Sequence, residues 1–283
     1  MSPPLTPEQL AARPHSLGAS EVAAVVGLNP WWSAHDVWLK KRGFVEEVET
    51  TQSRVGQLIE PVILQLYCED TGATVEGRGT SAHPVETWAT ATPDGHVVGA
   101  SRLVEIKCVG YRSAHHWTSE DDGIPDYYRT QAEWQCMVTG AEECDVAALI
   151  GGTDFRIYRI KRDPSLAAAI LESCKRFWFD HVVTGEPPAA DHSEGARRML
   201  ATLFPRDTRP LLPATDAASA IVPSLISTKE RISKLEQEKS ALENRLREAI
   251  ADAAGFIGDG WKATYKATKT GVRVLRVTAE EAA

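Results

Sequence analysis

Several features that define other classes of protein are missing from this sequence of 283 residues. It contains no run of eighteen apolar residues, so we expect no membrane-spanning helix. Its opening segment, MSPPLTPEQLAARPHS, lacks the apolar core of a secretion signal, which favours a cytoplasmic location. Its five cysteines are scattered without CxxC spacing. This scatter indicates reduced thiols and argues against a zinc site or a cysteine-ligated iron–sulfur cluster.

An excess of basic residues is missing as well. The chain has 31 lysines and arginines against 39 acidic residues, a formal net charge of −8. Nucleic-acid binding usually leaves a basic footprint, so this charge argues against such a partner. It does not exclude one, because the acidic residues crowd into 46–49, 120–122 and 142–145. A metal-dependent nuclease also needs acidic residues in its active site, where bound cations reverse the sign of the local charge.

The segment 92–108 carries the most informative pattern. Asp94 lies in a Pro-Asp-Gly turn, and Glu105 and Lys107 alternate with apolar residues as on a strand. Side chains two apart on a strand point the same way, so Glu105 and Lys107 should project together toward a cleft that Asp94 also reaches. Two carboxylates and a backbone carbonyl suit Mg²⁺ or Mn²⁺, and a neighbouring lysine can orient an attacking water. The pattern therefore indicates metal-dependent phosphodiester cleavage.

A simpler interpretation of the same residues stays open at this point. Asp94 can be an ordinary turn residue, and Glu105 and Lys107 can belong to a solvated strand face. Short patterns of this kind also arise by chance, so the rest of the chain has to decide between the two interpretations.

Helical and strand patterns alternate through residues 1–204, which we predict to form one α/β domain. A helix should begin at Thr6, and a long amphipathic helix at 50–72 should kink at Pro61. The other predicted helices are 21–26, 34–42, 114–118, 125–139 and 164–183. The predicted strands are 74–78, 88–92 and 103–108, which form a meander, followed by 145–151 and 155–160.

The character of the sequence changes after residue 204. Residues 205–224 contain four prolines and are predicted to be a linker. Residues 225–254 carry a heptad pattern of apolar positions, which predicts a coiled-coil helix. Residues 255–283 are predicted to form a β-hairpin and tail, with strands at 261–268 and 272–277 that carry basic residues and no acidic one.

Four motifs occur in order along the first half of the chain. They are Arg13-x6-Ser20 with LGASEVAAVVGLNPW, GQLIEP around Glu60, Pro93-Asp94 with Glu105-Ile106-Lys107, and Tyr128-x2-Gln131-x3-Gln135 with CMVTG. This order resembles that of YqaJ-type viral recombinases, relatives of lambda-type phage exonuclease in the PD-(D/E)xK superfamily. The resemblance covers roughly residues 13–140 and implies a restriction-endonuclease-like core, a central mixed sheet flanked by helices.

The resemblance also implies roles for the residues of the central motifs. Asp94, Glu105 and the backbone carbonyl of Ile106 would bind Mg²⁺ or Mn²⁺, two ions per active site, with Glu60 completing the second position. Lys107 would activate or position the water, and Gln131 would orient the nucleophile or a metal-bound water. Glu60 can instead be a solvated helix residue, and Gln131 a glutamine of the helix surface.

Contacts with DNA outside the metal site are implied for a second group of residues. Arg13 and Ser20 match positions that grip a 5′-terminal phosphate, which suits an arginine and a residue at a helix start. Ser20 can equally be a plain N-cap. Arg112 lies soon after the metal-binding strand and can contact the DNA backbone. Trp31 and Trp32 can stack on a frayed end, whereas Trp38 is predicted to be a core residue.

The implied activity is a 5′-to-3′ exonuclease on linear double-stranded DNA. Its single-stranded tails would pass to a phage single-strand annealing protein for homologous recombination, and relatives suggest a ring trimer. The protein would act in the cytoplasm of a bacterial host and be encoded by a phage or prophage. Two alternatives stay open: an endonuclease or single-strand-end repair nuclease with the same core, and a coiled-coil interaction protein on a nuclease scaffold.

Overall fold

A computed structural model describes residues 15–46, 48–77, 79–120 and 123–279. The chain divides into two compact units, Met1–Arg206 and Asp207–Ala283. The predicted helix that begins at Thr6 lies outside the described residues. Neither unit contains, within the described ranges, a helix with the length and hydropathy needed to cross a membrane. All five cysteines are free thiols.

Helices and strands of the first unit alternate along the chain. The helices are α1 (Ala19–Val25), α2 (Ala34–Lys41), α3 (Thr51–Thr71), α4 (Asp126–Thr139), α5 (Pro164–Phe177) and α6 (Glu194–Leu203), with a 3-10 helix at Tyr111–His116 and a π-helical turn at Trp178–Val183. The strands are β1 (Leu17–Gly18), β2 (Val75–Glu76), β3 (Ser81–Ala82), β4 (Ala89–Ala91), β5 (Gly95–Val97), β6 (Arg102–Val109), β7 (Glu143–Ile150) and β8 (Asp154–Lys161).

A five-stranded mixed sheet forms the centre of this unit. Its strand order is β2-β5-β6-β7-β8, and β6 and β7 are parallel while the other neighbours are antiparallel. A smaller sheet has the order β1-β4-β3. This mixed α/β architecture, with helices packed against a central sheet, confirms the predicted fold class at that level.

Both faces of strand β6 are covered. Val104 and Ile106 pack in one apolar cluster with Ile63 and Tyr67 of α3. Leu103 and the opposite face of the strand belong to a second cluster that includes residues of α4. Glu105 lies on this second face and is 5% exposed, so the interpretation of Glu105 as part of a solvated strand face is wrong.

The predicted meander has the wrong middle strand. The strand next to β6 is β5, whereas the predicted strand 88–92 corresponds to β4 of the smaller sheet. β4 pairs in parallel with β1, and the indole N–H of Trp134 donates to the carbonyl of Thr90. Pairing with the segment around residue 17 therefore separates β4 from the central sheet, an interaction too distant in sequence for a local pattern to reveal.

Helix boundaries also differ from the prediction in places. Helix α1 begins at Ala19 rather than at residue 21, and Gly18 is its N-cap. The helix predicted at 164–183 is α-helical only to Phe177 and then continues as a π-helical turn. Helix α6 was not predicted. Helix α3 runs through Pro61 as a single element, as predicted, and the kink at that proline stays a prediction.

Aromatic packing stabilises the helical side of the first unit. Trp88 stacks on Trp178 with ring centroids 5.7 Å apart, and its ring lies 6.0 Å from that of Trp134. Trp38 is buried in the same cluster, which confirms its predicted core position. Burial of such rings contributes a large share of the hydrophobic stabilisation of a core.

The second unit contains one long helix followed by a small sheet. Helix α7 (Asp216–Ile250) has 35 residues and spans about 52 Å. Strands β9 (Gly255–Gly258), β10 (Trp261–Ala267) and β11 (Arg273–Ala279) form an antiparallel sheet in the order β11-β10-β9. The predicted hairpin is thereby confirmed, with β9 as an additional strand. The coiled-coil pairing of α7 stays a prediction.

The predicted linker at 205–224 is wrong in its second half. Helix α7 already begins at Asp216, after Thr215, whose hydroxyl accepts a hydrogen bond from the N–H of Ala218 at 3.2 Å. Pro223 lies inside the helix, where it removes one backbone hydrogen bond. The cap at Thr215 and the alanines of the first turns favour the helix at this end.

A buried carboxylate links three elements of the central sheet region. Asp145 of β7 is fully buried, and its oxygens accept hydrogen bonds from the hydroxyl of Tyr67 at 2.7 Å and from Arg159 at 2.8 and 3.1 Å. Arg102 lies 3.6 Å away as a further cation. Burial followed by the bond to Asp145 raises the pKa of the Tyr67 phenol above its ordinary range. A buried charge of this kind is tolerated only when it is paired.

Replacement of Asp145 by alanine should lower the free energy of unfolding by about 3 kcal/mol, because the Tyr67 hydroxyl and the Arg159 guanidinium lose their acceptor. Urea denaturation of the purified variant measures this change. The matched control is Asp154→Ala, which removes an exposed pair with Arg156 and should cost less than about 1 kcal/mol. Equal losses in the two variants would contradict a stabilising role for the buried network.

Candidate active site

Asp94 is held against the middle of strand β6 by the turn that precedes β5. A Cβ atom on the next residue, Gly95, would come within 2.4 Å of Cγ1 of Val75 on β2, so glycine permits the close approach of these strands. The Oδ2 atom of Asp94 accepts a hydrogen bond from the backbone N–H of Ile106 at 2.7 Å. The turn therefore places the first predicted carboxylate beside the Glu105-Ile106-Lys107 motif.

Glu105 is the centre of a hydrogen-bond network with helix α4. Its Oε2 atom accepts from the amide of Gln135 at 2.7 Å. Its Oε1 atom accepts from Gln131 and from the ammonium group of Lys107, both at 2.5 Å. Gln131 and Gln135 are four residues apart and so share one face of α4. The network fixes the orientation of a carboxylate that would otherwise be costly to bury.

Lys107 is held on three sides. In addition to its pair with Glu105, its ammonium group donates to Oε1 of Gln131 at 3.2 Å. It also lies over the ring of Tyr128, 4.8 Å from the centroid, as a cation–π contact. Burial by itself lowers the pKa of Lys107, but the attraction of Glu105 and other neighbours outweighs burial, so the pKa is raised above its ordinary range. Lys107 is therefore a fixed cation at neutral pH.

The carboxylates of the site repel one another. Burial, followed by the negative charge of Glu105, raises the pKa of Asp94 well above its ordinary range. Glu60, half-buried on α3, has its pKa raised by burial and then by Glu105, while Lys107 opposes the shift. The three predicted acidic residues therefore lie in one electrostatic environment with a single lysine.

This environment fits a hard divalent cation in donor type and in charge. Three carboxylates face one ammonium group, and carboxylate and carbonyl oxygens are the ligands that Mg²⁺ and Mn²⁺ prefer. The buried Oε1 atom of Gln135 is a further oxygen that accepts no hydrogen bond within the described ranges. Over those same ranges, no three acidic, histidine or cysteine side chains already converge as a ligand cluster. A cation would thus compete with Lys107 and Gln131 for the oxygens of Glu105.

A row of aromatic rings leads from the protein surface to Lys107. Trp31, which is 57% exposed, meets the ring of Tyr127 edge-on with centroids 5.2 Å apart. Tyr127 in turn lies 4.4 Å from Tyr128, the ring beneath Lys107. Trp32 is not part of this row, because it lies beside Lys40 at 5.5 Å. The structure thus brings one of the two exposed tryptophans close to the candidate site.

The structure describes only some of the residues that are predicted to contact phosphate. Arg13 lies outside the described residues. Ser20 is the second residue of α1 and is exposed, whereas Gly18 is the N-cap. The plain N-cap interpretation of Ser20 is therefore wrong. Arg112 is exposed on the 3-10 helix that follows β6.

Sequence reasoning assigned no role to three side chains of this site. Gln135 is buried and bonds Glu105, and Tyr127 and Tyr128 connect Lys107 to Trp31. The spacing of Gln135 four residues after Gln131 was a usable signal, since both must share a helix face. Tyr128 belongs to the motif with Gln131 and Gln135, whereas no local signal identifies Tyr127, because its partner Trp31 lies about 100 residues away.

Comparison with known proteins supports the resemblance of the motifs. Residues 8–142 match the YqaJ-like viral recombinase domain. The protein named "Uncharacterized protein YqaJ" from Bacillus subtilis (strain 168) is 29% identical over 266 residues, which cover 92% of this chain and 82% of that protein.

Solved structures of exonucleases share the fold. The crystal structure of an alkaline exonuclease (LHK-Exo) from Laribacter hongkongensis superposes with a TM-score of 0.53 at 26% identity, covering 70% of this chain and 100% of that one. The same enzyme in complex with dAMP gives a TM-score of 0.54, with the same identity and coverage. Residues 8–142 thus match the domain of the family that the motifs resemble, the YqaJ-like viral recombinases.

Proposed function

We propose that this protein is a metal-dependent DNA exonuclease with a PD-(D/E)xK active site. It digests linear double-stranded DNA from 5′ ends and leaves single-stranded tails for recombination. The observation that carries the proposal is the network of Asp94, Glu105, Lys107 and Gln131 on strand β6 and its neighbours. Two further findings support it. The superposed structures are those of an alkaline exonuclease, and one of them contains dAMP, a deoxynucleoside monophosphate.

Asp94, Glu105, the carbonyl of Ile106 and Glu60 would hold one or two Mg²⁺ or Mn²⁺ ions. When bound, such ions activate water and offset negative charge on a phosphate undergoing cleavage. The carboxylates supply the negative charge that attracts them. Burial, followed by the charge of Glu105, raises the pKa values of Asp94 and Glu60.

Lys107 acts as a positioning cation in this proposal. In the metal-free protein the attraction of Glu105 outweighs burial and raises the pKa of Lys107, so its ammonium group stays protonated. Its N–H groups can hold the attacking water or a phosphate oxygen. Gln131 bonds both Lys107 and Glu105, so it sets the direction in which the ammonium points.

Specificity for DNA ends rests on groups outside the network. Ser20 lies in the first turn of α1, and Arg13 precedes it in the motif of the family, so we propose that both hold the 5′-terminal phosphate. Trp31 and Tyr127 offer ring surfaces on which an unpaired base can stack. Arg112 is proposed as a backbone contact. The subunits are proposed to assemble as a ring trimer that passes its tails to a single-strand annealing protein.

End-labelled linear DNA tests this function. In Mg²⁺, the wild-type protein should release a 5′-label rapidly as mononucleotides from 5′-phosphorylated ends. It should act more slowly on 5′-hydroxyl ends and spare closed circular DNA. Arg13→Ala should abolish the preference for phosphate. Nicking of the circle would favour an endonuclease, and absence of cleavage with any divalent metal would favour an interaction protein.

Removal of single site residues should abolish cleavage without unfolding the protein. Lys107→Ala and Glu60→Gln should each lower the cleavage rate at least about 100-fold, because each removes a charge needed in the transition state. Circular dichroism checks the fold. Glu69→Gln is the matched control for Glu60, since it alters an exposed glutamate of the same helix, and it should keep full activity. Full activity in Lys107→Ala would refute the site assignment.

Asp94→Asn should make the metal-free protein more stable at neutral pH while abolishing cleavage. The new side-chain amide keeps an oxygen for the N–H of Ile106 but removes the charge that Glu105 repels. Because the folded-state pKa of Asp94 is raised, wild-type stability falls as pH rises from about 4 through that pKa. The stability gain of the variant should therefore vanish near pH 4. Thermal melts in EDTA at several pH values measure it, and a gain that is independent of pH would contradict this cause.

Trp31→Ala should lower kcat/KM on linear duplex DNA about tenfold, because stacking of a base on an aromatic side chain contributes about 1–3 kcal/mol. Steady-state assays with end-labelled duplex measure this change. Trp32→Ala is the matched control, since Trp32 is its exposed neighbour and lies beside Lys40. Equal effects of the two substitutions would argue against a role for the aromatic row.

A further inference from the structure

The sheet of the second unit has two chemically different faces. Strands β10 and β11 pair with Lys262 opposite Thr278, Thr264 opposite Arg276 and Lys266 opposite Val274. Because alternate residues share a face, Lys262, Lys266 and Arg276 lie on the same side. The other side carries Ala263, which is fully buried, and the half-buried Tyr265 and Leu275. One face is thus basic and solvated, and the other supplies the apolar contacts of the unit.

Arg273 has a structural role that separates it from the other basic residues. Its guanidinium donates to the carbonyls of Ala251, Ala253 and Tyr265 and lies 3.9 Å from the centroid of the Tyr265 ring. It therefore ties β11 to the chain that leaves the end of helix α7. Its side chain is therefore engaged in contacts within the second unit.

Three other basic side chains are directed toward solvent. Lys266, Lys269 and Arg276 are exposed, and none of them forms an ion pair with any residue that the structure describes. Residues 261–279 contain five basic residues and no acidic one, although the chain as a whole has a net charge of −8. Such a concentration of one sign on a short ribbon attracts a polyanion.

The shape of the ribbon also fits a particular polyanion. Strand β9 pairs only with residues 261–264 of β10, so the pair continues beyond it as a two-stranded ribbon. The ribbon closes in a tight turn, where the N–H of Thr268 donates to the carbonyl of Val272 at 2.9 Å. Lys266 and Lys269 lie in this free part. The major groove of B-DNA, about 12 Å wide, admits a two-stranded β-ribbon.

We propose that the ribbon of β10 and β11 is a second binding surface for duplex DNA, which it contacts through phosphates with Lys266, Lys269 and Arg276. Lysine and arginine contacts of this kind carry no sequence information, so the binding should be nonspecific. The surface would keep the chain on DNA independently of a free end. The choice of DNA as the polyanion rests on the proposed nuclease function, whereas the binding itself requires no cleavage.

Binding of the full chain to a duplex whose two ends are closed by hairpin loops tests the proposal. All proteins carry Lys107→Ala and the buffer contains EDTA, so that neither cleavage nor a free end contributes. Fluorescence anisotropy gives Kd at several salt concentrations. The test variant is Lys266→Gln with Lys269→Gln and Arg276→Gln. The matched control is Lys229→Gln with Arg231→Gln and Lys234→Gln, which removes three exposed positive charges from α7.

The ribbon variant should bind at least about tenfold more weakly at low salt than the parent. Its slope of log Kd against log salt should be smaller by about 2 to 3, one unit for each lost phosphate contact. The α7 control should stay within about twofold of the parent, because scattered charges on a helix contribute only to the general field.

Three outcomes would overturn the proposal: equal loss in both triple variants, no binding of the parent to closed duplex, or preferential binding to single-stranded oligonucleotide or phosphatidylserine vesicles. The nuclease proposal is judged separately. An active exonuclease whose ribbon variant binds closed duplex normally refutes the ribbon alone. A protein without nuclease activity whose ribbon variant loses duplex binding refutes the nuclease alone.

Discussion

The burial of Glu105 is the interaction on which the rest of the first unit's candidate site depends. A carboxylate that is 5% exposed is stable only if its oxygens find donors, and here Lys107, Gln131 and Gln135 supply them. These donors come from strand β6 and helix α4, so Glu105 has all its hydrogen-bond partners only when α4 packs on the sheet. The same packing directs Lys107 toward the ring of Tyr128 and so joins the site to the exposed aromatic row.

The site is unfavourable for stability in a way that suits its proposed chemistry. Asp94, Glu60 and Glu105 repel one another, and Lys107 balances only part of their charge. A protein selected only for stability would replace one of the carboxylates by a neutral residue. Their coexistence at one place favours a role in which cations complete the charge balance.

The two units carry opposite electrostatic features. The first unit has its buried carboxylates, and the second has a ribbon, residues 261–279, that contains basic residues and no acidic one. Net charge averages over these features and therefore does not show where this chain concentrates positive or negative charge. A count of charges also misrepresents Arg273. It counts as a positive charge in the ribbon sequence, but its guanidinium is engaged by backbone carbonyls and a tyrosine ring.

The sequence by itself indicated the residues of the candidate site, the resemblance to the YqaJ-like family and most helices. Asp94, Glu105 and Lys107 could be found because strand alternation and turn chemistry act over a few residues. Only the tertiary structure decided that β5 rather than 88–92 lies beside β6, that Gln135 bonds Glu105 and that Trp31 meets Tyr127. These outcomes depend on contacts between residues that are far apart in sequence. The cost of burying a charge and the gain from burying a ring select them only when the chain packs.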